Sequence, residues 1–485
     1  MKRILFVASE CVPFVKTGGL ADVVGSLPKA FDPEEYDIRV MLPNYFAIKE
    51  EYRCNTECIY YFQLDDRKYV GINRLIKDGI TYYFIDNMQY FDGLVPYYDL
   101  FKDLERFAFF SKACLSALPL IGFRPDIIHC HDWQASLVPV FLNTQFQGNP
   151  FYRGIRTIMT IHNLRFQGTW NVGHIRHITN LPEECFQPGR LVSPFQNTSI
   201  RKDDWNCSML RGGIVYSDYV TTVSYTYAQE IQTTNYGEGL DDILRFRKDR
   251  LWGIINGIDY TEWNPQTDRN LAKNYTVRGI KGGKRANKVA LQKELGLAEN
   301  PDVMTIGLVS RLTDQKGLDL VDKIMDRLCQ MDINMIILGT GARNYEDMFR
   351  YYQNKYPAKV SANIRYSDAL AHRIYGGCDA LLVPSAFEPC GLTQLIALRY
   401  GTVPIVHETG GLKDTVKPYN QYEQTGTGFS FYGYSDWELM DRINHAYWVY
   451  NETPDQWMKL CQRGMKEDWS WKSSSQIYKQ LYDRL

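Results

Sequence analysis

Residues 380–406 read ALLVPSAFEPCGLTQLIALRYGTVPIV. A short apolar, β-rich run from Ala380 to Val383 is stopped by Pro384. A loop carrying Glu388 follows, then a helical pattern that starts near Gly391-Leu392-Thr393, then a second apolar run at 403–406. Buried strand alternating with helix is the pattern of a parallel α/β sheet. Ligands of such sheets bind beyond the carboxyl ends of the strands. Glu388 therefore stands where a carboxylate can accept from sugar hydroxyls, and a helix start there favours phosphate.

Outward from this segment the pattern repeats. Apolar runs at 304–309 and 335–338 precede it, separated by helical patterns at 318–331 and 369–376. A separate series lies at 4–8, 38–42, 82–85, 127–130, 158–161, 220–223 and 252–255, with helical patterns at 20–31 and 104–118. The chain has 485 residues, and single cores stop growing near ~250–300. Two doubly wound α/β domains in tandem are expected. The boundary falls near 256–265, where NGIDYTEWNP carries Asn, Gly and Pro turn chemistry. The following stretch, 268–288, is polar and poor in apolar residues.

Lys plus Arg number 55 and Asp plus Glu 56, so charge gives no reason to expect nucleic acid as a partner. No apolar run approaches the ~20 residues of a membrane helix. MKRILFVASE imitates a signal peptide, but Glu10 ends its apolar stretch too early. The 11 cysteines form no CxxC pair and fit a reduced, cytoplasmic setting. Aromatics reach 14%; sugar faces stack on such rings, although ordinary core and surface tyrosines explain the figure too.

Other strand ends carry chemistry. The first strand runs into Lys16-Thr17-Gly18-Gly19, whose glycines let backbone N–H groups approach an anion, although a plain structural turn explains them equally. The next glycine is Gly25, so this is not the GxGxxG of a nicotinamide dehydrogenase. The run IIHCHDWQ presents His129, His131 and Asp132, and another strand ends at His162-Asn163. No Cys/His set lies at zinc-ligand spacing; a polar cluster facing substrate and a set of satisfied buried histidines both fit. Arg311 and Lys316 share a strand-to-helix loop, as a diphosphate leaving group requires when no metal is present, and an ordinary solvated loop accounts for them too. Thr409-Gly410-Gly411-Leu412 repeats the loop logic.

Taken together, KTGGLADVVGSLP, HCHDWQ, TIHNLRFQG, INGID with WNP, SRLTDQKGLDL, FEPCGLTQLIALRYGTVPIV and TGGLKDTV resemble, in order and spacing, the bacterial glycogen synthase and plant starch synthase family. The resemblance spans about residues 16–416. It implies a GT-B fold: two Rossmann-like α/β domains, 1–260 and 261–460, facing a deep cleft. It also implies a final segment, 461–485, whose helix crosses back to the first domain. The implied activity is transfer of glucose from ADP-glucose to the non-reducing 4-OH of an α-1,4-glucan, with retention and release of ADP. No cofactor and no metal are expected, and no membrane partner.

By the same resemblance, Glu388 is similar to the glutamate that holds the donor glucose. Cys390, Gly391, Leu392 and Thr393 resemble the loop and helix start that meet sugar and diphosphate. Arg311 and Lys316 resemble the pair that neutralises the leaving group. Lys16, Gly18 and Gly19 resemble the first-domain lip of the donor site, with Asp22 next on that helix. His162 is similar to the histidine whose backbone carbonyl lies near the reacting carbon. Asp132 resembles a residue facing the sugar, Tyr366 the ring that stacks on the base, and Tyr97 a tyrosine lining the cleft. Arg211, Phe166 and the segment Glu10-Cys11-Val12 depart from the common pattern, and 197–206 does not align. The competing expectations are a UDP-glucose or maltooligosaccharide-specific enzyme and a non-catalytic glucan binder.

Overall fold

The computed structural model describes residues 1–65, 67–197 and 199–485; Thr198, inside the unaligned stretch 197–206, lies outside them. The chain divides into two units. One comprises Met1–Gly257 and Trp471–Leu485, the other Ile258–Ser470.

Among the described residues, the first unit is built on a nine-stranded sheet. In spatial order the strands are Leu251–Gly253, Tyr219–Thr222, Arg156–Ile161, Ile127–His131, Lys2–Val7, Tyr36–Pro43, Ile80–Asp86, Lys68–Lys77 and Glu57–Leu64. The first seven run parallel. The last two are antiparallel and extend one edge. The parallel strands are continuous apolar runs because helices cover both faces; Ile4 to Val7 are all fully buried. Chain order reverses between Lys2–Val7 and Ile127–His131, and the loops after these two strands open the switch-point crevice where such sheets bind ligands.

The helix Trp471–Asp483 completes this unit. It buries Trp471, Tyr478, Leu481 and Tyr482 in the first unit's core. Ser474 Oγ donates to the carbonyl of Ile255 (2.7 Å). Residues 461–470, expected with the returning segment, stay with the second unit. There the helix Pro454–Lys466 buries Cys461 and Met465.

The second unit holds a six-stranded parallel sheet, in spatial order Val360–Asn363, Ile333–Leu338, Met304–Val309, Ala380–Val383, Val403–His407 and Phe429–Phe431. Its switch point lies between Met304–Val309 and Ala380–Val383. The polar stretch after the domain boundary enters the helix Ile280–Glu294, which packs through buried lysines. Lys288 Nζ pairs with Asp379 (2.6 Å) and donates to the carbonyls of Pro301 and Val303. Lys284 Nζ donates to the carbonyl of Tyr375 (3.0 Å), and burial pushes its pKa down to about 8. Among the described residues, no helix is long and apolar enough to cross a membrane.

Candidate active site

In the second unit, the loops after the two switch-point strands are pressed together. Gly317 has φ +69°, and a Cβ there would lie 2.0 Å from the carbonyl oxygen of Pro384. Gln315 Nε2 donates to the carbonyl of Phe387 (3.2 Å), and Ala386 N to the carbonyl of Gln315 (2.9 Å). This contact brings Lys316 Nζ to 2.6 Å from Glu388 Oε2, across 72 residues of sequence. Ser385 Oγ donates to the same carboxylate oxygen (3.0 Å). Glu388 is 7% exposed, so its charge is held by these two donors. Gly411 N donates to the Glu388 carbonyl (3.0 Å), and the backbone passes so close that a Cβ on Gly410 would lie 1.9 Å from that oxygen.

Behind Glu388, Gly391 takes φ +74°, and Leu392 caps the two-turn helix Thr393–Arg399. Gln394 Nε2 locks the turn by donating to the carbonyls of Cys390 (3.0 Å) and Gly391 (2.8 Å). Cys390 is buried; Leu392 and Thr393 are half-buried. Arg311 is exposed, and its guanidinium has no ion-pair partner among the described residues. Tyr366 follows the strand Val360–Asn363 and is 74% exposed, with its hydroxyl donating to Asp368 Oδ1 (2.6 Å). The structure thus brings Glu388 and Lys316 into direct contact, while Tyr366 is largely exposed.

In the first unit, Glu10 organises the loop after strand Lys2–Val7. Its buried carboxylate accepts from Thr17 N, from Thr17 Oγ1 (2.6 Å) and from the Tyr97 hydroxyl. Tyr97 also meets Ser9 Oγ at 2.8 Å, and burial together with Glu10 pushes its phenol pKa well above the ordinary 10. Lys16 is exposed and pairs with Asp22 at 2.8 Å. Gly18 caps the helix Gly19–Ser26, and a Cβ built on it would meet nothing within 4 Å, leaving its backbone approachable.

Asp132 sits at φ +56° after strand Ile127–His131. Its N–H donates to the carbonyl of Thr160 (2.9 Å), and its Oδ1 accepts from the backbone N–H of His162 (2.7 Å). Burial raises the Asp132 pKa to about 7 against the lowering effect of the His162 and Asn163 backbone N–H groups. His131 Nδ1 lies 3.0 Å from His162 Nε2. His129 is a satisfied core residue: Nδ1 meets the Tyr482 hydroxyl (2.9 Å) and Nε2 meets Thr160 Oγ1 (2.6 Å). Of the two readings open for the histidines, the buried one holds for His129. His162 is half-buried at the strand end.

Sequence reading did not single out Glu10, Ser385 or Gln394. Glu10 had one available signal, a carboxylate placed directly after a buried strand; the roles of the other two depend on loop geometry. Among the described residues, no group of three or more His, Cys, Asp or Glu side chains gathers so as to hold a metal ion.

Two Rossmann-like units, each with charged residues beyond its strand ends, define a GT-B glycosyltransferase. The starch synthase catalytic domain model matches residues 3–246, and the glycosyl transferases group 1 model matches 291–457. The glycogen synthase of Lachnospira eligens is 55% identical and that of Lachnoclostridium phytofermentans 53%, each over the whole of both chains. The catalytic domain of starch synthase IV from Arabidopsis thaliana, bound to ADP and acarbose, superposes with a TM-score of 0.87 at 32% identity, covering 100% of this chain and 99% of that one. Sucrose-phosphate synthase from Thermosynechococcus elongatus shares the fold, with a TM-score of 0.60 at 15% identity over 100% of this chain and 99% of that one. The chain belongs to the glycogen and starch synthase family and is a hexosyltransferase.

Proposed function

We propose that the enzyme transfers glucose from ADP-glucose to the non-reducing 4-OH of an α-1,4-glucan, with retention at C1 and without a metal ion. The observation that carries this reading is the contact of buried Glu388 with Lys316, five residues after Arg311, whose guanidinium has no ion-pair partner among the described residues. A carboxylate that orients sugar hydroxyls thus adjoins cations able to take a departing diphosphate. The choice of adenine nucleotide and glucan is supported by the starch synthase structure bound to ADP and acarbose.

In this reading C1 becomes oxocarbenium-like as its bond to the diphosphate oxygen breaks. Arg311 and Lys316 stabilise the developing negative charge, and the N–H groups of the 391–393 turn add to the same field. The acceptor 4-OH attacks from the face the diphosphate leaves and passes its proton to a phosphate oxygen. Attack and departure on one face retain the anomeric configuration. Glu388 orients the donor sugar and is not assigned as a nucleophile; a double displacement would need a carboxylate on the opposite face. In the first unit, Glu10 holds Thr17 and Tyr97 and so shapes the Lys16–Gly19 loop, while Asp132 fixes the backbone at His162. Tyr366 offers its exposed ring to the base.

The test is glucose incorporation into glycogen from ADP-glucose and from UDP-glucose, side by side, with EDTA present. Metal-independent transfer from ADP-glucose is the expected result. Preference for UDP-glucose would overturn the donor assignment, and loss of transfer in EDTA would overturn the metal-free mechanism.

A further inference from the structure

His131 and His162 meet ring to ring at the ends of adjacent parallel strands. Burial pushes the His162 pKa down to about 3 and that of His131 well below the ordinary 6.5. Both rings are therefore neutral near pH 7, each with one N–H and one lone pair. Their 3.0 Å contact has two possible arrangements. Either His131 Nδ1–H donates to His162 Nε2, or His162 Nε2–H donates to His131 Nδ1.

The far nitrogen of His131 decides between them. His131 is fully buried, and its Nε2 has no hydrogen-bond partner among the described residues. It lies between the rings of Phe6 (centroids 5.2 Å apart) and His129 (4.4 Å). In the second arrangement Nε2 would carry a proton, giving an N–H sealed from water with nothing to accept it. A buried N–H left without an acceptor bears the full desolvation penalty of that group. In the first arrangement Nε2 keeps only a lone pair.

We propose that His131 is a positioning residue that holds His162 in the tautomer with its proton on Nδ1, so that His162 faces the substrate as a hydrogen-bond donor. The His162 Nδ1 is neither bonded within the described protein nor sealed from solvent. Its backbone is pinned by Asp132, so the ring presents one defined nitrogen outward. A neutral histidine side chain in water favours the opposite tautomer, so His131 imposes a choice that the ring would not make alone. The proposal rests on the reading that His162 lies at the transfer site.

The experiment uses the full chain labelled with ¹⁵N-histidine and long-range ¹H–¹⁵N correlation at pH 7, with His162 assigned by its disappearance in His162→Gln. The expected spectrum shows His162 protonated on Nδ1 and bare on Nε2. In His131→Phe the proton moves to Nε2, and kcat/KM for the donor sugar falls about tenfold, the worth of one hydrogen bond. His131→Asn puts an amide N–H near the former Nδ1 and restores both the Nδ1–H tautomer and most of the rate. Wild-type His162 protonated on Nε2 would overturn the proposal even if His131→Phe fails to fold. So would a tautomer unchanged in His131→Phe. Unaltered transfer by His162→Gln would instead remove His162 from the transfer site while leaving the tautomer assignment to stand on its spectrum.

Discussion

Replacing Lys316 by Met keeps the aliphatic stem and removes the charge that faces Glu388. At the 2.6 Å separation, the gross attraction is about 6 kcal/mol at an effective dielectric of 20. Desolvation of both groups offsets much of it, but the lone carboxylate left behind bears its own burial cost. Breaking such a pair costs about 3–5 kcal/mol. The lysine and glutamate side chains are 17% and 9% exposed, and Ser385 Oγ remains as a donor, so about 3 kcal/mol is expected. Glu388→Gln in the same background removes the stranded charge. The double variant should then recover at least ~1 kcal/mol relative to the sum of the single losses. The rate should behave differently. Lys316→Met loses one donor to the leaving group, about 10²–10³ in kcat, and the double variant does not regain it. Urea unfolding followed by tryptophan fluorescence reads the first quantity, and initial rates of glucose transfer read the second. Additive stability losses together with an unchanged kcat would refute the reasoning.

Glu388→Ala should leave a folded protein with transfer reduced by orders of magnitude; near-normal turnover in the same rate assay would take Glu388 out of the mechanism. Arg311→Ala should leave stability within about ±0.5 kcal/mol, as for an exposed side chain with no ion-pair partner among the described residues, while kcat/KM for the donor falls about 10²-fold; an unchanged kcat/KM would contradict the leaving-group role. Asp132 has a folded pKa of about 7, above the ~3.9 of an unfolded chain. Its stabilising contribution is therefore complete below about pH 4 and is lost as pH rises towards 7. Asp132→Asn keeps the acceptor for His162 N–H but does not ionise, so the wild type should lose stability relative to this variant across that window. Parallel denaturation midpoints from pH 4 to 7 would show that the carboxyl is not shifted.

The central parallel strands were legible because burial on both faces leaves them as unbroken apolar runs; Met304–Val309 and Ala380–Val383 have the bounds that their patterns suggest. The antiparallel strands Glu57–Leu64 and Lys68–Lys77 were missed. They form the sheet's outer edge, and the first is largely exposed, so neither a continuous apolar run nor a clean alternation marks it. The helix Ile280–Glu294 was hidden for a related reason, since Lys284 and Lys288 occupy its buried face and are satisfied by partners far along the chain. At the candidate site, strand-end position drew attention to Glu388, Lys316, Arg311, Asp132 and His162, and the family resemblance supplied the roles proposed for them. Their pairing was not legible: Lys316 reaches Glu388 because Gly317 lets one loop lie against Pro384. Glu10 read as the end of a strand, and its grip on Thr17 and Tyr97 appears only when the loop folds back.

The helix Trp471–Asp483 has a consequence for how this protein is made. Tyr478, Leu481 and Tyr482 fill the core of a unit whose other residues end at Gly257. A ribosome delivers chain from the amino terminus at roughly 5–20 residues per second. The first unit to be synthesised is thus the last to be finished, and its unclosed apolar face waits in the cell while the entire second unit is translated. Until Tyr482 emerges and reaches His129, that nascent half is the natural client of a chaperone and the stage at which crowding during overexpression would do most harm.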